Sequence, residues 1–233
     1  MICIAIPSRG RPQFLRQLVS SALSTASDPK NVMIRYYLND DDPEIQKYVD
    51  TLKHLAQAHG ESVQWKIGPD QNTVLSWEQI CDSLDADYYM LAGDEVVFET
   101  QGWDKKFDDT KQKYPDGIFC MSMYCGRGQS RLGENVTPVV TKQWRQALGY
   151  FWGPMFWHWC VDQWSGDLAK AIDRFEYRSD ITVRIKKIKK DSTGQRNRSQ
   201  GIFDRDQWIY DRFKEIYFPT DVEKLRGAIT KKA

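Results

Sequence analysis

Over its first half the chain alternates short apolar runs with longer segments whose apolar residues recur every three to four positions. The runs at 2–6, 32–38, 63–67 and 87–92 have the length and composition of buried strands. Between them, Phe14, Leu15, Leu18, Val19 and Ala22 share one helical face, as do Ile45, Val49, Leu52 and Leu55. Val74, Trp77, Ile80, Cys81 and Leu84 form a third such face. Pro12 suits a first helical turn, and His59-Gly60 suits a helix end. A fifth strand is predicted over 118–123. Strands that alternate with helices of this length make βαβ units, so the predicted fold class is α/β with a mostly parallel sheet flanked by helices.

The second half is less regular. Residues 124–149 read as loop with a short strand near Val139, and 150–164 are rich in aromatics. A helix over 161–175, a strand over 181–185 and a final helix over 204–218 follow. Between 184 and 198 stand seven Lys or Arg against a single acid, Asp191. Without repeats or a low-complexity linker, this predicts a domain over 1–185 and a basic, helical extension over 186–233 packed on it.

Composition narrows the class. The chain has 233 residues, enough to bury a core without disulfide staples, and a formal net charge of +1. That balance excludes a polycationic coat or an acidic solvating tail. Mean hydropathy is −0.62, and the greasiest stretch, 150–161, is broken by Gly153, Pro154 and His158. It falls short of the roughly 18 apolar residues that a membrane span needs. The N-terminus reads as a strand and not as a signal peptide. Five cysteines without a CxxC pair argue for a reducing compartment and against a zinc knuckle. The expectation is a cytoplasmic protein with no membrane partner.

Parallel sheets bind ligands beyond the carboxyl ends of their strands. Four successive strand ends here carry Ser8-Arg9-Gly10-Arg11, Asn39-Asp40-Asp41-Asp42, Gly68-Pro69-Asp70 and Gly93-Asp94-Glu95. The last is the sharpest, because two adjacent carboxylates lie between the apolar runs Tyr88–Ala92 and Val96–Phe98. Such a pair is costly to bury unless a positive charge meets it, and hard oxygen donors suit Mg²⁺ or Mn²⁺. An acidic surface turn would show the same residues. Trp152, Trp157, Trp159 and Trp164, four of the nine tryptophans, fall within thirteen residues. They suit either a stacking surface for sugars or bases, or a lid of the core.

In these motifs and their order the chain resembles the nucleotide-sugar glycosyltransferases of the GT-A fold, in particular family-2-like, short stand-alone, phage-type members. The resemblance covers roughly residues 2–185. It implies a nucleoside-diphosphate sugar as donor, held by Pro7, Ser8, Arg9 and Arg11 after the first strand and by Asn39, Asp40 and Asp41 after the second. It places Trp77 in the donor pocket and matches the family's metal motif to Asp94 and Glu95. Asp162, at the start of a helix after the aromatic segment, takes the place of the catalytic carboxylate. Trp152, Trp157, His158 and Trp159 would meet the acceptor. The family's downstream histidine ligand is missing here, since no histidine follows His158. Lys186, Lys187 and Lys190 occupy the corresponding stretch and would take over part of the metal's work on the diphosphate, so that Mn²⁺ or Mg²⁺ becomes dispensable.

The expected activity is therefore transfer of a sugar to an acceptor hydroxyl. A hydroxylated base in DNA is one candidate acceptor, because the basic stretch could track phosphates and the tryptophans could hold an extruded base. Saccharides and proteins are the others. Two rival functions are a sugar nucleotidyltransferase, which would show a longer glycine-rich first loop, and a non-catalytic nucleic-acid-binding module using the basic stretch.

Overall fold

The computed structural model describes residues 1–126, 134–186 and 192–230. The predicted alternation is present: β1 (Ile2–Ser8), α1 (Leu15–Thr25), β2 (Val32–Asn39), α2 (Ile45–His59), β3 (Val63–Gly68), α3 (Thr73–Asp82) and β4 (Tyr88–Leu91). These four strands pair in parallel in the order β3-β2-β1-β4. Their carboxyl ends therefore share one rim, as the sequence pattern predicts.

Beyond β4 the sheet becomes mixed. β5 (Val96–Phe98), β6 (Cys120–Cys125), β7 (Val139–Thr141) and β8 (Phe175–Ile185) complete an eight-stranded order β3-β2-β1-β4-β7-β6-β8-β5. β7 runs antiparallel to both β4 and β6, β6 pairs parallel with β8, and β5 runs antiparallel to β8. The apolar run after Glu95 thus leaves its neighbour β4 and crosses to the far edge of the sheet.

Alternation along the strands fills both faces. Ile2, Ile4 and Ile6 join the cluster under α1 and α2, whereas Cys3 and Ala5 face Val74, Trp77 and the aromatics of the chain's second half. Both faces are covered, as a parallel sheet requires. In α2 the inward residue is Tyr48 with Leu52 and Leu55, while Val49 is only half-buried.

Several elements depart from the expected pattern. α4 (Lys106–Lys113) and α5 (Lys142–Leu148) are additional. Thr141 caps α5 by accepting the Trp144 amide at 3.1 Å, and Gly149 ends it at φ 90°, a conformation costly for any residue with a Cβ. α6 (Val161–Ala171) stops earlier than expected because Asp173 turns left-handed at φ 58° and lets the chain enter a long β8. The final helix is three: α7 (Ser192–Ser199), α8 (Ile202–Ile216) and α9 (Phe218–Thr230), with Pro219 in the first turn of the last. Val222 and Leu225 of α9 and Ile209 and Tyr210 of α8 share one apolar cluster with Trp144, Trp152 and Trp164.

Because Leu225 is fully buried in that cluster, Leu225→Ala should lower stability by about 2–5 kcal/mol in a urea titration. The transition should remain single with an unchanged slope. A separate early transition would show that the C-terminal helices unfold on their own.

Candidate active site

At the rim, the ends of β1 and β4 meet around one carboxylate. Asp94 is 1% exposed. Ser8 Oγ donates to its Oδ2, and the Arg11 guanidinium lies 3.3 Å from the same oxygen. Tyr48 Oη stands 2.8 Å from Ser8 Oγ and accepts the Arg11 amide at 2.6 Å, so α2 braces the loop after β1. Asp42 braces it too, accepting from Gly10 N at 2.7 Å and from Glu44 N at 2.9 Å. Gly10, at φ 69°, provides the left-handed turn between the two arginines.

Glu95 folds back over Gly93, where an added Cβ would lie 2.5 Å from its carboxylate. Arg11 Nη1 approaches Glu95 Oε2 at 3.7 Å. Burial pushes the Asp94 carboxyl up to about 8; the Arg11 charge and the Ser8 bond oppose the rise, and the Glu95 charge adds to it. Asp94 Oδ1 and Glu95 Oε2 are both buried without a hydrogen-bond partner. Two such carboxylates in adjacent residues, once ionised, fit a hard divalent cation. Among the described residues no third His, Cys, Asp or Glu joins them in a metal-binding group.

A cavity of about 590 Å³ opens over this cluster. One end lies on the loops after β1, β2 and β3, at Pro7, Ser8, Arg9, Asn39 and Asp70, with Trp77 of α3 beside them. Trp77 is fixed by its indole N–H, which donates to Ala5 O at 3.1 Å. Glu95 and Arg11 lie in the cavity wall. Trp157, His158, Trp159 and Asp162 complete the lining, with the His158 ring stacked on Trp77 at 6.5 Å between centroids. Asp162 sits in the first turn of α6, where its Oδ1 accepts the Gln163 amide at 2.8 Å. Burial, reinforced by the Glu134 charge, raises its pKa. Just before it, Cys160 holds a left-handed φ of 65°, a strained conformation for a non-glycine residue.

No family model matches the sequence, and no curated protein matches it. Among solved structures, the mannosyltransferase PcManGT from Pyrobaculum calidifontis, in complex with GDP-Man and Mn²⁺, aligns over 97% of this chain and 73% of its own, with a TM-score of 0.66 at 8% identity. S. aureus TarS 1-349 in complex with UDP-GlcNAc aligns over 83% of this chain with a TM-score of 0.63, also at 8% identity. In complex with UDP it aligns over 78% with a TM-score of 0.58 at 9% identity. The fold is GT-A-like. The chain spans about three-fifths of the length of these TarS chains, 60% and 59%.

Within this GT-A frame the structure gathers most of the residues that the sequence motifs single out. Pro7, Ser8, Arg9, Arg11, Asn39, Trp77, Glu95, Trp157, His158, Trp159 and Asp162 all line the one cavity, and Asp94 is buried in contact with Ser8 and Arg11. Others lie elsewhere. Asp40 is exposed and outside the cavity lining; Asp41 is also exposed and forms a two-point ion pair with Arg9 at the rim. Trp152 is a core residue, its ring 1% exposed and its N–H directed to Cys81 Sγ, so it offers no surface to an acceptor. Lys186 is exposed 6.0 Å from the Phe14 ring and does not line the cavity. Lys187 and Lys190 lie outside the described residues.

Three features of the site are not apparent from the motifs. Asp70 accepts from both Asn39 and Arg196, joining the ends of β2 and β3 to α7. Thr193 Oγ1 donates to Arg9 O at 3.0 Å, so α7 roofs this end of the cavity. Thr193, Arg196, Asn197 and Gln200, spaced along one helical face, line it. Gly68-Pro69-Asp70 was a visible signal, but its partner stands 126 residues away.

Between the ordinary carboxyl value of 3.8 and about 8, folded Asp94 keeps a proton that the unfolded chain has lost, so its contribution to stability falls as pH rises through that window. Asp94→Asn removes this slope. In metal-free buffer the variant should gain melting temperature over the parent, by more at pH 8 than at pH 5. An equal difference at both pH values would contradict the burial described.

Proposed function

We propose that the chain is a nucleotide-sugar-dependent glycosyltransferase. The observation that carries this reading is the continuity of one cavity from the strand ends, past the Asp94–Glu95 carboxylate pair, to the half-buried carboxylate of Asp162 at a helix start. The GT-A-like fold supports it, as do the solved structures of similar fold in complex with UDP-GlcNAc and GDP-Man. In this reading the nucleoside lies over Pro7, Arg9, Asn39 and Asp70 beneath α7, and the diphosphate reaches Arg11. Asp94 and Glu95 would hold Mn²⁺ or Mg²⁺, which when bound stabilises the charge of the departing diphosphate. The sugar faces Asp162. Its carboxylate takes the proton of the acceptor hydroxyl as the oxygen attacks the anomeric carbon, and the raised pKa makes it the stronger base.

The acceptor we assign to a saccharide. Trp157 and Trp159 line the cavity together with Asp162, and aromatic rings there suit a pyranose. The basic stretch supports DNA less well, because Arg184 pairs with Glu99 at 2.7 Å and Arg196 pairs with Asp70. All five cysteines are free and buried, and no described helix is long and apolar enough to cross a membrane. Both support a reaction in the cytoplasm.

The test is a thermal-shift panel of UDP, GDP and duplex DNA with and without Mn²⁺. A nucleoside diphosphate at 100 times its Kd should stabilise the protein by about 2.7 kcal/mol. Stabilisation by DNA alone, lost steeply as salt rises, would overturn the assignment in favour of nucleic-acid binding. With the donor identified, Asp162→Asn should bind nucleotide normally and lose roughly 10²–10⁴-fold in transfer. Parental transfer by this variant would reduce Asp162 to a helix-terminal carboxylate.

A further inference from the structure

Resting on that reading, we propose that Asp206, far from every motif of the sequence, is the positioning residue of the acceptor end of the cavity. Its carboxylate is 0% exposed. Three successive backbone amides converge on it: Trp157 N at 3.0 Å from Oδ1, and His158 N and Trp159 N at 2.8 and 2.9 Å from Oδ2. Arg205 completes the arrangement with Nη1 at 2.6 Å from Oδ1. The same guanidinium donates to Met155 O at 3.1 Å and stacks 4.0 Å from the centre of the Trp157 ring.

These contacts decide which way the loop faces. Residues 157–159 belong to neither a helix nor a strand, so their amides have no ladder to satisfy them, and buried amides left unpaired are costly. A buried anion is equally costly without donors. Each solves the other's problem, and with the amides directed at α8 the side chains of Trp157, His158 and Trp159 line the cavity. His158 Nδ1 reaches Thr73 Oγ1 at 2.9 Å, and Trp159 meets Phe203 edge-on at 5.5 Å. The loop then enters the strained Cys160 and, two residues on, Asp162. α8 therefore aligns the aromatic wall with the proton acceptor without touching substrate. The loops after β1 to β3 have further braces of their own in Tyr48, Asp42 and Asp70, and meet the aromatic loop through α3, where His158 stacks on Trp77. Loosening Asp206 should thus affect the acceptor far more than the donor.

The experiment uses the full chain labelled with 5-fluorotryptophan, in the parent and in Asp206→Asn and Arg205→Ala. The asparagine keeps the size but loses the charge and one acceptor oxygen; the alanine removes the brace and leaves the carboxylate, which serves if the first variant fails to fold. Trp157→Phe and Trp159→Phe assign two of the nine fluorine signals. The signals of Trp157 and Trp159 should shift and broaden while the other indoles hold their positions. UDP or GDP with Mn²⁺ should bind within two-fold of the parental affinity. With methyl glucoside, methyl mannoside and methyl N-acetylglucosaminide as acceptors, acceptor KM should rise ten-fold or more while donor KM stays within two-fold. Unmoved Trp157 and Trp159 signals would overturn the proposal, as would equal losses in donor and acceptor KM. A parent that binds neither nucleotide would instead remove the glycosyl-transfer reading, and the fluorine spectra would still decide whether Asp206 holds the loop.

Discussion

A carboxylate sealed beneath a polar cavity organises this molecule. Asp94 follows β4, the last of the four parallel strands, where Ser8, Arg11 and Glu95 converge on it and Tyr48 holds Ser8 and Arg11 in place. Its burial raises its pKa, and one of its oxygens lacks a partner. A chain selected only for stability would replace such a group with an apolar or amide side chain. The strain is tolerated because the sheet around it is braced: β1 is paired on both sides, and the loop after it is tied to α2 and to Asp42. The same braces hold Arg11 where an incoming anion would meet it.

The second half of the chain turns this polar rim into an enclosed site. α7 spans the ends of β1 and β3 through Thr193 and Arg196. α8 grips the aromatic loop through Asp206, and α9 anchors α8 by packing Leu225 in the cluster that holds Ile209, Tyr210 and the tryptophans. Stability and function are thus distributed differently. The large apolar cluster stabilises the C-terminal helices, while the polar contacts made from those helices shape the cavity. Trp152 and Trp164 belong to the first role, and Trp157 and Trp159 to the second, although all four lie in one short aromatic segment.

This division explains what could be read from the sequence. β1 to β4 and their helices follow local periodicity, and three of the four strands pair with a sequence neighbour while β4 returns to β1, so both the rim and its motifs were legible. The mixed half depends on distant pairings, such as Val97 with Arg184, that no local pattern encodes. α5 was hidden because its single buried turn, Trp144 and Leu148, is too short to show a period. Asp40 and Asp41 look alike in sequence to Asp42, yet only Asp42 turns inward, to the Gly10 amide. Asp206 reads as an ordinary helix acid, because its partners are 47 to 49 residues away.

The central claim is that one continuous cavity seats a nucleoside-diphosphate sugar from the loops of β1 to β3 across to Asp162. It is tested most directly by a crystal structure of the chain with a donor and Mn²⁺, soaked in parallel with UDP-GlcNAc and GDP-Man. The account predicts the base beside Asn39 and Asp70, the diphosphate at Arg11 with the cation on Asp94 and Glu95, and the sugar facing Asp162. A donor bound outside this cavity, or seated with its sugar away from Asp162, would contradict it.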